Sequence, residues 1–303
     1  MKTDEQNIII NGQSLVLTNQ DKILWPDEGI TKAELIDYYR KISKYILRHL
    51  FNRPQSLHRF PNGINEKGFY QKNIEDGPEW IKTIKIKSES TNDMVNYMLC
   101  NDETALLYMA NLACIEMNPW NSKVGSLDKP DWLVFDIDPG KTNTFEQVIE
   151  TALVIKSLLD KAMAISFAKT SGASGMHIYV PLGAKYTYEE GKTFAQMIAT
   201  MTSEQLPHTT TTERNLKLRN GKIYIDYLQN SMGQTVASVY SVRPMPGATV
   251  STPLFWHEVK NGLYPTDFTI KNVVKRIEKQ GDIFKPVLGK GVDLSKSLKL
   301  ISA

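Results

Sequence analysis

Residues Pro130 to Gly140 read PDWLVFDIDPG. Trp132-Leu133-Val134-Phe135 is a short buried-strand signal, and Pro139-Gly140 is a turn signal. Residues two apart in a strand share a face, so Asp136 and Asp138 project side by side while Ile137 faces the other way. Aspartate is a poor strand former, and of two like charges so close one resists ionising. A divalent cation removes that penalty, and hard cations such as magnesium or manganese take oxygen ligands. On residue types alone, two turn-forming aspartates solvated at a strand end read equally well. A third carboxylate is what would separate the readings.

The segment KIYIDYLQN, Lys222 to Asn230, supplies one. Asp226 is expected inside an alternating strand, between Ile225 and Tyr227, where a lone charge is costly unless paired or bound. An ion pair with a nearby lysine or arginine is the plain alternative. Asp136, Asp138 and Asp226 on adjacent strands would suit the two-metal clamp of in-line phosphoryl transfer. Between these segments, TSGASGMHIYVP (Thr170 to Pro181) is a glycine-flexed loop carrying Ser171 and Ser174, followed by His177 on a strand. Backbone N–H groups of such a loop can cradle a phosphate, although many strand-to-strand turns look alike. A histidine among apolar residues also reads as a satisfied core side chain. Arg219, Lys222 and Arg243 flank the Asp226 strand and could hold triphosphate oxygens; singly, each reads as a surface cation.

Composition bounds the rest. The chain has 303 residues, 41% of them hydrophobic, and a formal net charge of +3. A sizeable core is affordable in area, and a local basic groove fits without making the whole surface a polyanion binder. Two isolated cysteines, Cys100 and Cys114, exclude a disulfide framework and a zinc site. The N-terminal MKTDEQNIIING lacks an apolar signal region, and no run is long enough to span a membrane. The expectation is a soluble cytoplasmic protein.

Local signals place the elements. Asn11-Gly12 reads as a hairpin turn within IIINGQSLVLT. TKAELIDYYRKISKYIL reads as a helix with a Thr31–Glu34 capping box and an apolar stripe of Leu35, Tyr39, Ile42 and Ile46. SLHRFPNGINEKGFYQKN reads as two strands around Pro61-Asn62-Gly63, and IKTIKIK as a strand. ETALLYMANLA is a helix before the strand CIEM. Further capping boxes run from Thr144 to Gln147 and from Thr187 to Glu190. TVASVYSVR reads as a strand, and IKNVVKRIEKQ as a helix ended by Gly281. Strands mostly neighbour strands, which indicates a mixed α+β fold rather than regular βαβ alternation.

Taken together, Asp136-Ile137-Asp138, the Ser171 to His177 segment and Asp226 resemble the three motifs of the archaeo-eukaryotic primase superfamily. The likeness is greatest to the polymerase domain of bacterial ligase D, which acts in DNA end joining, and its stand-alone relatives. It continues through LTNQDKILWPDEGITKAELIDYY, RFPNGINEKGFYQK, NPW, DYLQN and YSVRPMPGATVSTPL, nearly the whole chain in order. A ligase signature of the Lys-x-Asp-Gly type is not seen. The resemblance implies one primase-polymerase domain over 1–303, with mixed and antiparallel sheets around a catalytic cleft and flanking helices. Residues 1–60 would carry the hairpin, the first helix and a 5′-phosphate site, and 61–303 the catalytic core, with no ligase or nuclease domain.

It further implies a DNA-directed nucleotidyltransferase that extends primers and fills gaps at double-strand breaks. Manganese or magnesium would serve as two ions, NTPs or dNTPs as substrates with ribonucleotides preferred, and Ku and a DNA ligase as partners. Asp136, Asp138 and Asp226 become metal ligands, and Ser171, His177, Arg219, Lys222 and Arg243 contact nucleotide or primer. Phe69 and Tyr70 stack on the template, although core packing is the plain reading of an aromatic pair. Lys22 and Lys32 hold the 5′-phosphate across a gap. The residues give a separate reason for the last point. Lys32 opens its helix, where a cation faces the positive end of the dipole and an anion would also find free N–H groups. Screening by solvent is the plain alternative. One departure stands out: Asn118-Pro119-Trp120 replaces the usual His-Pro-Trp, leaving an amide where a titrating nitrogen is expected.

Two other classes compete. A haloacid-dehalogenase-type phosphatase also carries Asp-x-Asp at a strand end, but continues differently from Pro139-Gly140-Lys141 and places the motif nearer the N-terminus. A non-catalytic DNA-end adaptor would keep lysines and aromatics without needing three acids.

Overall fold

The computed structural model describes residues 5–88 and 92–302; the first four residues of the polar N-terminal stretch lie outside them. The chain divides into two compact units, one of residues 1–124, 235–250 and 268–281, the other of 125–234, 251–267 and 282–303.

In the first unit, β1 (Gln6–Ile10) and β2 (Gln13–Leu17) pair antiparallel. Asn11 and Gly12 take positive φ of 52° and 77°, as a tight hairpin turn requires. The short strands β3 (Ile23–Trp25) and β4 (Ile30–Thr31) lead into helix α1 (Lys32–Leu50). Its capping box forms as expected: Thr31 Oγ1 accepts from Glu34 N, and the Glu34 carboxylate accepts from Thr31 N. Leu35, Tyr39, Ile42 and Ile46 are fully buried along one stripe. After it come β5 (Gln55–Arg59), β6 (Phe69–Gln71), the hairpin β7 (Thr83–Lys87) and β8 (Met94–Met98), helix α2 (Glu103–Asn111) and β9 (Cys114–Pro119). β5 lies between β6 and β9, antiparallel to both.

One strand expectation fails here. Residues 235–243 make isolated bridges, Trp120 with Thr235 and Val242 with Val250, but no strand. Tyr240 has a φ of 65°, a left-handed conformation that a strand does not admit, and its buried carbonyl accepts from Tyr38 Oη at 2.8 Å.

The second unit is built on a six-stranded sheet. Its elements are β10 (Trp132–Asp138), α3 (Phe145–Lys161), β11 (Phe167–Thr170), β12 (Met176–Pro181), α4 (Tyr188–Gln205), β13 (Thr210–Thr211), β14 (Ile223–Asp226) and β15 (Pro253–Leu254). Helix α5 (Val273–Gln280), closed by Gly281 at φ 73°, belongs to the first unit, and α6 (Leu294–Ser302) to the second. The strand order is β13-β14-β10-β12-β11-β15, with every pair antiparallel except β13–β14.

Register sorts the side chains onto two faces. Leu133, Phe135, Ile137, Ile178, Val180 and Ile225 share one face and are buried, and β10 packs against both α3 and α4. On the other face Trp132 and Tyr179 lie together, with Phe284 against Tyr179 at 5.1 Å between ring centroids. Past these aromatics the same face carries Asp136, Asp138, His177, Lys169, Tyr224 and Asp226. Asn230 keeps that end of β10 in place: its amide accepts from Val134 N and donates to Val134 O, both at 2.7 Å, like an extra strand residue.

Candidate active site

Two strands place the carboxylates. Asp136 pairs directly with Asp226 across β10 and β14, and Asp138 lies two residues on, opposite Tyr224. Asp226 is the last residue of its strand and not an interior one, because Tyr227 turns helical and opens a short 3-10 turn. Like charges in directly facing positions repel. Burial, then Asp136, push the Asp138 carboxyl above its ordinary range, with Arg219 opposing them. Burial, then Asp136, likewise raise Asp226.

Neighbouring groups engage each acid. Asp138 Oδ2 lies 3.3 Å from Arg219 Nη1, and that guanidinium sits 3.9 Å from the centroid of the Tyr224 ring. Asp226 accepts from Tyr224 Oη at 3.1 Å, Leu228 N at 2.8 Å and Gln229 Nε2 at 3.1 Å. Asp136 Oδ1 lies 3.3 Å from His177 Nε2. In these orientations no three His, Cys, Asp or Glu side chains among the described residues form a ready-made metal cage. Arg219 draws Asp138 aside, and Gln229 with Leu228 turns Asp226 toward its own loop. The donor set itself, three carboxylates held on one face by register and costly to ionise together, suits a hard divalent cation.

The glycine loop is shaped by β10. A Cβ on Gly175 would stand 2.1 Å from the Ile137 carbonyl oxygen, between the paired aspartates, so only glycine lets β12 approach. Ser171 Oγ accepts from Ala173 N and Gly175 N at 3.1 and 3.0 Å. Those two loop N–H groups are thus turned onto the serine rather than outward as a phosphate cradle. Lys222 reaches the Pro207 carbonyl at 2.6 Å.

Arg243, Phe69 and Tyr70 lie in the first unit, as do Lys22 and Lys32, and each has its own neighbours. Arg243 Nε is 2.9 Å from Glu116 Oε2, and His58 Nδ1 is 3.5 Å from the same oxygen. Burial raises the Glu116 carboxyl, but Arg243 and His58 outweigh it and hold the group below its ordinary range. His58 in turn stacks under Tyr70, centroids 4.0 Å apart and planes 12° from parallel, and Arg59 lies 5.3 Å from the Phe69 ring. Phe69 and Tyr70 are 46% and 57% exposed, so core packing does not account for either. Asn118 is buried and donates to the Glu116 carbonyl at 3.3 Å.

Lys32 is also buried, its ammonium donating to Thr18 O. Burial, then Lys22 and Arg59, pull its pKa down to about 8, which marks a basic cluster short of anions. The expected free N–H groups are not there: Lys32 N donates to Lys22 O, Ala33 N to Gln20 O and Glu34 N to Thr31 Oγ1. The preceding loop folds back and caps the helix, so an anion there would meet the lysines alone.

The family described as LigD, primase-polymerase domain, matches residues 31–284. The chain belongs to the LigD primase-polymerase family. Membership makes it a nucleotidyltransferase of polymerase type and agrees with the α+β primase-like fold. It is 36% identical over 269 residues to the bifunctional non-homologous end joining protein LigD of Bacillus subtilis, covering 88% of this chain and 43% of that one. The multifunctional LigD of Mycolicibacterium smegmatis is 30% identical over 89% of this chain and 36% of its own length. The chain thus spans less than half of these LigD proteins. The polymerase domain of Mycobacterium tuberculosis ligase D, solved in complex with DNA, superposes with a TM-score of 0.83 at 28% identity, covering 92% of this chain and 99% of that domain.

Sequence reasoning missed Lys169, Glu116 and Gln229. The first two carried the signal already applied to Asp226, a charge inside an apolar strand. Gln229 carried none.

Proposed function

We propose that this LigD-type polymerase extends primer 3′ ends and fills short gaps at DNA breaks during end joining, preferring ribonucleotides. The observation that carries the reading is the face of β10, β12 and β14 on which register gathers Asp136, Asp138, Asp226 and His177. Asp136, Asp138 and Asp226 would hold manganese or magnesium. Bound there, two divalent cations supply a lowered pKa for the primer hydroxyl and charge neutralisation for the triphosphate. Arg219, paired with Asp138 and backed by Tyr224, would exchange that carboxylate for triphosphate oxygens. His177 and Ser171 orient the nucleotide. No side-chain nucleophile is required.

In the first unit Lys22 and Lys32 would take a 5′-phosphate, and Phe69 with Tyr70 a template base. Ku and a DNA ligase are the partners this role calls for. The deciding experiment is primer extension on gapped DNA with each nucleotide type and each metal. The reading requires template-directed addition with pyrophosphate release; phosphate release from small esters without extension would refute it.

Two substitutions follow. Tyr70→Ala is expected to weaken binding of an overhanging template roughly 5- to 150-fold, whatever the base, since stacking is worth about 1–3 kcal/mol per base. Unchanged affinity across several template sequences would remove Tyr70 from the platform. Asn118→His is expected to shift the manganese and magnesium titrations of extension, because it supplies a titrating nitrogen. Superimposable titrations would leave Asn118 as a structural partner of Glu116.

A further inference from the structure

Lys169 has no place in the scheme so far, yet it is fully buried and stands directly opposite His177 on the site face of the sheet. Its Nζ lies 2.7 Å from His177 Nδ1 and also contacts Ser251 Oγ. The Ser251 hydroxyl donates to Thr170 O at 2.9 Å, so its oxygen accepts a hydrogen bond from the lysine. A lysine ammonium has three donors and no acceptor. His177 Nδ1 must then accept, which leaves the ring's proton on Nε2. That nitrogen faces Asp136 Oδ1 at 3.3 Å.

We propose that Lys169 is a positioning residue of the polymerase site, fixing His177 in the Nε2–H tautomer and aiming that proton at the carboxylate edge where a nucleotide phosphate oxygen would bind. The proposal rests on His177 as a nucleotide contact. Without the lysine, Nδ1 is free to carry the proton, and Nε2 then offers a lone pair to Asp136 and to phosphate alike. Second partners of this kind fix both ring orientation and tautomer in other histidine sites.

The test is ¹⁵N spectroscopy of ring-labelled histidine in the metal-free protein, with His177 assigned by its loss in His177→Gln. The expected wild-type spectrum is that of the Nε2–H tautomer. Lys169→Met is expected to mix the tautomers and to lower kcat/KM for nucleotide about 10- to 100-fold, with affinity for 5′-phosphorylated DNA unchanged. Lys169→Arg, also a pure donor, is expected to keep the tautomer and restore part of the rate. A wild-type Nδ1–H or doubly protonated ring would overturn the proposal even if Lys169→Met did not fold. So would a Lys169→Met enzyme with the wild-type tautomer or wild-type nucleotide kinetics. Failure of the underlying reading looks different: His177→Gln would keep a normal nucleotide KM while the wild-type ring still showed Nε2–H.

Discussion

Asp136→Asn, Asp138→Asn and Asp226→Ala are each expected to abolish primer extension, by roughly a thousandfold or more, which is about 4 kcal/mol of barrier at 1.36 kcal/mol per decade. Asp136 and Asp226 face one another in register, with Asp138 beside them on one face, so each substitution leaves the other two without a complete ligand set. The fold should survive. Burial and mutual repulsion raise both Asp138 and Asp226, so removing a charge relieves a cost rather than adding one. Affinity for short 5′-phosphorylated DNA, assigned to the first unit, should be close to wild type. Ordinary turnover by Asp226→Ala, measured on gapped DNA, would remove the third ligand.

The second large effect belongs to Lys22 and Lys32. Wild-type protein is expected to bind gapped DNA with a 5′-phosphate more tightly than with a 5′-hydroxyl. Lys22→Ala together with Lys32→Ala should erase the difference. Each charge-assisted contact is worth about 1.5–3 kcal/mol, so the pair accounts for roughly two to four orders of magnitude. The preference should shrink with salt, because neutralised phosphate releases counterions. It also carries a pH signature. With Lys32 pulled down to about 8, the free protein holds this cation below that pH and loses it above, while the phosphate stays ionised. Discrimination should therefore hold at pH 7 and decline as pH rises past about 8. Folding responds in the opposite sense. The unfolded chain keeps the lysine proton up to its ordinary 10.5, so between about 8 and 10.5 it binds more protons and the folded state gains stability as pH rises. Equal affinity for both DNA ends, or discrimination flat from pH 7 to 9.5, would contradict the assignment.

Local chemistry made much of this molecule readable. Capping boxes at Thr31, Thr144 and Thr187 and the Asn11-Gly12 turn act within a few residues, and each formed where its residues stand. The Asp-x-Asp alternation placed two carboxylates on one face from strand geometry alone. Two things were not legible for physical reasons. Residues 235–243 have strand composition, but Tyr240 is turned left-handed by tertiary packing that no local window contains. The network around the site depends on strand order: Lys169 meets His177, and Glu116 meets His58, only because β11–β12 and β5–β9 pair as they do. The buried charges were visible in the sequence, but their partners were not. The helix N–H groups above Lys32 were misjudged because the loop that caps them folds back through backbone bonds, which leave no side-chain signature.

Manganese binding followed by electron paramagnetic resonance, with a non-hydrolysable nucleoside triphosphate present, addresses the carboxylate site most directly. Wild-type protein is predicted to take up two ions per nucleotide complex, and Asp136→Asn and Asp226→Ala each to lose that uptake while remaining folded. Undiminished manganese binding by either variant would contradict the assignment of β10 and β14 as the metal-holding strands.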